Sequence, residues 1–223
     1  MDTLTSFDSQ LFLALNGAHC GYCDSLMWNL SSRLAWLPVL LVLIYVLLHK
    51  GWRQALLAIT AIALAVVLAD QLSSGLIKHL VCRLRPTHDP SLALAVHVVD
   101  GYRGGTYGFV SSHAANMTAL AVLLCCIMRQ RVMWWVMLPW VALVSYSRIY
   151  LGVHFPGDVV CGALVGAVAG LLVARLWHWV QRRWFAWQRG HVFNAHDARL
   201  LSFSLLANLL IIAVIACFAF LPR

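Results

Sequence analysis

The chain has 223 residues, of which 62% are hydrophobic and only 11% charged, a balance that excludes an ordinary soluble domain and reads as one integral membrane domain spanning residues 1–223. Its formal charge of +8 comes from 16 Lys and Arg against 8 acidic residues, every one an aspartate. Such an excess serves membrane topology, anionic lipid or an anionic substrate. No dense basic run lies outside a membrane-flanking loop, so nucleic acid is excluded as a partner.

The opening stretch MDTLTSFDSQLFLAL carries Asp2 and Asp8 where a cleavable signal would carry basic residues, and its helix is therefore expected to be retained. Residues 5–16 are interrupted by Asp8, Gln10 and Asn16, the pattern of an interfacial amphipathic helix rather than a span. The pair Cys20 and Cys23 in CGYC has redox or metal spacing without a second such pair, which predicts a structural or incidental role, or a disulfide in an oxidising compartment. A span needs roughly 20 mostly apolar residues. Six segments qualify, at about 30–49, 54–78, 112–128, 132–147, 157–179 and 200–221, predicting an all-α polytopic bundle. Cys125, Cys126, Cys161 and Cys217 lie inside these runs as small hydrophobes. Gly162, Gly166 and Gly170 recur every fourth position in the fifth span, which predicts close helix packing.

Short basic loops favour the cytoplasm. With loops 50–53, 129–131 and 175–199 inside, that side holds nine basic residues: Lys50, Arg53, Arg129, Arg131, Arg175, Arg182, Arg183, Arg189 and Arg199. The opposite side holds seven: Arg33, Lys78, Arg83, Arg85, Arg103, Arg148 and Arg223. Three polar clusters fall on this outer side. KHLVCRLRP, residues 78–86, supplies Lys78, Arg83 and Arg85 at the end of the second span. FVSSHAAN, residues 109–116, offers Ser111 or Ser112 as helix N-cap and His113 in the first turn. SYSRIYLGVHFPGD, residues 145–158, places Arg148 at one helix end and His154 just before another, because Pro156 disfavours helix for its predecessor and suits a first turn.

If the clusters converge, two helix N-termini and the cations Lys78, Arg85 and Arg148 meet at one point, a setting for a multiply charged oxyanion such as phosphate. Lys78, Arg85 and Arg148 then belong to chemistry, leaving four outer basic residues against nine inside. A neutral His154 can attack phosphorus if Asp158 fixes its tautomer, and His113 can protonate the leaving oxygen. There is no HExxH and no carboxylate cluster, so no metal is expected. Asp70, eight residues before Lys78, is expected in a supporting role, pairing with a site cation or a buried polar group. Arg83 and Arg103 suit lipid headgroup contact and simple solvation equally.

These stretches resemble the three signatures of the type-2 phosphatidic acid phosphatase family, membrane lipid phosphatases related to bacterial acid phosphatases and vanadium haloperoxidases. K-x6-R-P matches at Lys78, Arg85 and Pro86; S-R-x5-H-x3-D matches at Ser147, Arg148, His154 and Asp158. The usual P-S-G-H stands here as Val110, Ser111, Ser112 and His113. The matched core spans residues 78–158. By resemblance His154 is the nucleophile, Asp158 orients it and His113 is the general acid, while Lys78, Arg85, Ser111, Ser112 and Arg148 hold phosphate. No cofactor is implied. The resemblance further implies a bacterial inner membrane protein whose site faces the periplasm or exterior and takes its substrate from the bilayer. Undecaprenyl diphosphate ranks first as substrate, with phosphatidylglycerol phosphate, phosphatidic acid and lipid A phosphates as alternatives. Transfer to an acceptor other than water, and binding or transport without cleavage, stay open.

Overall fold

In the computed structural model, residues 2–92, 94–184 and 192–220 are described; Arg189 and Arg223 of the charge balance lie outside them. Helices α1 (Asp2–Asn16), α2 (Gly21–Ser31) and α3 (Leu37–Leu48) precede α4 (Trp52–Asp70), which runs through a π-helical stretch, Gln71–Ile77, into α5 (Lys78–Val81). Then follow α6 (Ser112–Met128), α7 (Arg131–Tyr150), α8 (Pro156–Trp184) and α9 (Ala195–Phe220). Among the described residues there is no named strand, only an isolated bridge between Leu84 and Tyr107. The fold is all-α.

The expectation of six equal spans is modified. Among the described residues four helices are long and apolar enough to cross a membrane, at Trp52–Val81, Arg131–Tyr150, Pro156–Trp184 and Ala195–Ala219. A fifth crossing arises only if α2 and α3, bent by 73°, count as one. The 17-residue α6 is shorter, yet its buried residues lie all round the helix, from Ala114 to Met128. A helix buried on every side is a core element. It sits between α4, α7 and α8.

The closest approach is between α6 and α8, and glycine permits it. A Cβ on Gly162 would lie 2.4 Å from the Ser111 carbonyl oxygen, on Gly166 2.1 Å from that of Ala115, and on Gly170 2.7 Å from that of Ala119. The three glycines form the close helix seam that the sequence predicts.

At the far end Lys50 pairs with Asp197 at 2.6 Å. At the near end α1 lies against the loops: the buried Asn16 amide donates to the carbonyls of His97 at 3.1 Å and Tyr150 at 2.8 Å, and its oxygen accepts from the His97 N–H at 2.7 Å. Asn16, one of the three residues that break the apolar pattern of the first helix, thus ties its end to α7. Cys20 and Cys23 form a disulfide at this end, beside Tyr150, whose hydroxyl accepts from the Cys20 N–H at 3.2 Å.

Candidate active site

The three polar clusters meet at the near end of α5, α6, α7 and α8. Ser111 caps α6, its hydroxyl accepting from the Ala114 N–H at 3.4 Å, while its own N–H donates to the Asp158 carbonyl at 2.9 Å. That second bond locks the start of α6 to the first turn of α8. Ser111 is therefore mainly a framework residue, with its hydroxyl proton left to offer. Ser112 begins α6 with no positive φ, so a residue other than glycine fits this point of the signature without strain.

His154 precedes α8, which starts at Pro156 as the proline predicts. Its Nδ1 stands 3.6 Å from Asp158 Oδ2, just beyond direct hydrogen-bond distance, and its Nε2 lies 3.3 Å from Arg85 Nη1. Guanidinium can only donate. Nε2 is thus the acceptor nitrogen, the ring proton sits on Nδ1 facing Asp158, and the Nε2 lone pair points toward the cations. Burial, then the positive charges of Arg85, Arg148 and Lys78, hold the imidazole well below the usual histidine range. His154 is neutral at pH 7, the state a nucleophile requires.

Arg85 is held on several sides, with Nε donating to the Tyr107 carbonyl and Nη1 to that of Val153, each at 3.1 Å. Gly104, at φ +66°, leaves room for it, since a Cβ there would lie 3.0 Å from Nη1. Arg148 donates from Nη1 to Ser31 Oγ and from Nη2 to the Tyr102 hydroxyl at 3.2 Å. Burial raises the Tyr102 phenol, but the hydrogen bond and charge of Arg148, with Arg85 and Arg33, more than offset it and bring it below its usual value. The surroundings of that oxygen are arranged for negative charge. Lys78 lies within electrostatic reach of Arg85, Asp158, Asp70 and Arg148.

Asp70 accepts from Asn116 Nδ2 at 3.3 Å and Ser74 Oγ at 3.4 Å, so it pairs with polar groups two turns below the cations. Arg103 has an exposed side chain, and its carbonyl accepts from Thr87 Oγ1. His113 has a buried Nε2 without a hydrogen-bond partner, within electrostatic reach of Arg148, His154 and Arg33. It lines one end of a cavity of about 200 Å³ that continues over Trp36, Leu40, Met117, Leu120 and Trp140. A second cavity of about 220 Å³ is lined by Arg148 with Trp28, Ser31, Ser32, Tyr102 and Leu151.

Three residues at the site, Asp8, Ser31 and Tyr102, are not among those the sequence assigns to it, and Arg83, expected at headgroups or in solvent, joins them. Arg83 reaches Asp158 Oδ1 at 3.0 Å and Asp8 Oδ2 at 2.8 Å. The one available signal is the glycine-dense loop GYRGGTYG, residues 101–108, which brings Tyr102 beside Arg148 and wraps Arg85. No group of three or more His, Cys, Asp or Glu suited to a metal occurs among the described residues.

Residues 54–185 match the family model of the PAP2 superfamily. The chain is 39% identical over 174 residues, 77% of each chain, to the lipid A 4'-phosphatase of Bacteroides thetaiotaomicron. It is 29% identical over 176 residues, covering 76% of this chain and 78% of the relative, to the undecaprenyl-diphosphatase of Sulfolobus acidocaldarius. In fold it is similar to the crystal structure of Aquifex aeolicus LpxE, with a TM-score of 0.59 at 24% identity over 74% of this chain and 93% of that one.

Proposed function

The chain belongs to the PAP2 superfamily and is a membrane lipid phosphatase, and on that premise we propose that it removes phosphate from a phosphorylated glycolipid, lipid A foremost, through a phosphohistidine. The observation that carries the lipid part is the position of His113, the proposed general acid, at the end of an apolar cavity walled by membrane helices. A leaving oxygen protonated there has its acyl chains in the cavity. By sequence alone undecaprenyl diphosphate ranks first; the greater identity to a lipid A phosphatase than to an undecaprenyl-diphosphatase supports putting lipid A ahead of it. The second cavity supports the same reading, since Trp28 offers a flat apolar face to a sugar ring and Ser31 and Ser32 offer hydroxyls beside Arg148.

In the proposed reaction phosphate is held by Lys78, Arg85 and Arg148, with the Ser111 and Ser112 hydroxyls in support, displacing Arg85 from His154 Nε2. Nε2 attacks phosphorus; the N–P bond forms as the P–O bond to the lipid breaks, and His113 gives its proton to the departing oxygen. Asp158 steadies the positive ring through Nδ1–H. Water, deprotonated by His113, then attacks the phosphohistidine and releases inorganic phosphate.

A panel of purified lipid A, undecaprenyl diphosphate, phosphatidylglycerol phosphate and phosphatidic acid, assayed in detergent for phosphate release, tests this. The highest kcat/KM is expected on lipid A, unchanged by EDTA, and stoichiometric phosphate without an acceptor. Trp28→Ala should cost about tenfold on lipid A, roughly 1.4 kcal/mol, and under about twofold on undecaprenyl diphosphate. A preference for undecaprenyl diphosphate would reverse the substrate assignment, and EDTA inhibition rescued by magnesium would overturn the metal-free chemistry.

The site is proposed to face the periplasm or exterior of a bacterial inner membrane. The Cys20–Cys23 disulfide at the site's own end supports this, because disulfides persist in oxidising compartments. Exposed Cys82, also at this end, should react with a membrane-impermeant maleimide in intact cells, and Cys82→Ser should remove that labelling. Labelling only after lysis would place the site inside.

A further inference from the structure

Sequence reasoning leaves Arg83 between headgroup contact and solvation, and reads Asp8 as a mere polar interruption of an interfacial helix. The structure joins them to the reaction centre. Arg83 donates from Nη1 to Asp158 Oδ1 at 3.0 Å and from Nη2 to Asp8 Oδ2 at 2.8 Å, and its guanidinium lies over the Phe155 ring, 3.9 Å from the centroid. Asp8 Oδ1 accepts the Gly157 N–H at 2.8 Å, in the first turn of α8. Phe12 of α1 packs edge-on against Phe155, with centroids 5.4 Å apart.

The other Asp158 oxygen, Oδ2, accepts the Phe155 N–H at 3.0 Å and faces His154 Nδ1. Both carboxylate oxygens are thereby fixed, one by the chain that carries His154 and one by Arg83. The Asp158 side chain is fully buried, whereas those of Arg83 and Asp8 are 24% and 15% exposed. A buried carboxylate that loses its cation is left uncompensated, so this pair cannot be discounted as a surface ion pair would be.

The geometry points to Arg83 and Asp8 as positioning residues for phosphoryl transfer: Asp8 on α1 holds Arg83, Arg83 holds Asp158, and Asp158 aims His154. Arg83 touches neither reacting nitrogen nor any candidate phosphate ligand. Its charge opposes the cation that forms on the ring, so its contribution is geometric. Misplacement of a reacting group by about 1 Å can cost about 100-fold. This inference rests on the reading of His154 as nucleophile.

Steady-state phosphate release by the full chain in detergent, on the best substrate of the panel, separates the two. Arg83→Ala is expected to lower kcat about 100-fold and Asp8→Asn about tenfold, with KM changed by less than about twofold. Arg83→Lys should recover about tenfold of the loss. Because Asp8 acts through Arg83, the double variant should be no slower than Arg83→Ala, whereas independent effects would multiply to about 1,000-fold. A raised KM with kcat retained would make Arg83 a headgroup ligand and overturn the inference, as would multiplicative losses. If Arg83→Ala does not fold, Arg83→Lys and Asp8→Asn carry the same test of kcat against KM. His154→Ala is run alongside: its inactivity with an undiminished kcat in the Arg83 variants sinks the positioning role alone, whereas its full activity sinks both readings.

Discussion

Replacing His154 by alanine is expected to lower phosphate release by at least about 1,000-fold while the protein stays folded, because its Nε2 is the nucleophilic nitrogen that faces Arg85 where the cations meet. The imidazole is buried, its Nδ1 faces Asp158, and its Nε2 points at Arg85. A phosphoenzyme trapped from labelled substrate should form in the native chain and be absent from the variant. Full activity in the variant would remove His154 from the nucleophile's place. His113→Ala gives a different signature. It should abolish turnover of lipid phosphates yet still release a stoichiometric burst of p-nitrophenol from p-nitrophenyl phosphate, whose leaving group departs without a proton, before hydrolysis of the phosphohistidine stalls. The pH dependence follows from the lowered His154 value: a depressed pKa keeps the ring neutral below pH 6.5, so the acid limb of kcat/KM, corrected for substrate ionisation, should fall below that point.

The second large effect is structural. Gly166→Leu would put a Cβ 2.1 Å from the Ala115 carbonyl oxygen, and neither helix backbone can yield without opening the α6–α8 seam. Overpacking costs about 1–3 kcal/mol and occasionally more; this contact with backbone belongs at the upper end. A loss of about 3 kcal/mol lowers Tm by roughly 6–12 °C in a chain of this size, measurable by thermal unfolding in detergent. Activity should fall further than stability alone requires, because the same seam carries the Ser111 N–H to Asp158 carbonyl bond and so sets His113 against His154. An unchanged Tm would show that the seam is looser than its geometry.

Much of the active site is legible before any fold is known, because its chemistry is concentrated in three short stretches whose local rules act on their own. Pro156 forces His154 out of the helix, Ser111 caps α6, and Gly162, Gly166 and Gly170 share one helix face. Each follows from backbone geometry within a few residues. The span count is less legible, since hydropathy cannot tell a lipid-facing crossing from the short, mostly buried α6, nor show that α2 and α3 turn by 73° between them. The π-helical stretch before Lys78 leaves no pattern in the apolar period either.

The sequence by itself determined the class of protein and the three polar clusters that the fold brings to one end of the bundle, because composition and spacing act locally. Tertiary structure alone decided which groups complete the constellation. Asp8 lies 75 residues before Arg83, which lies 75 before Asp158, and Ser31 and Tyr102 reach Arg148 from separate elements. Such partners are chosen by three-dimensional packing and burial of charge, which no local period encodes.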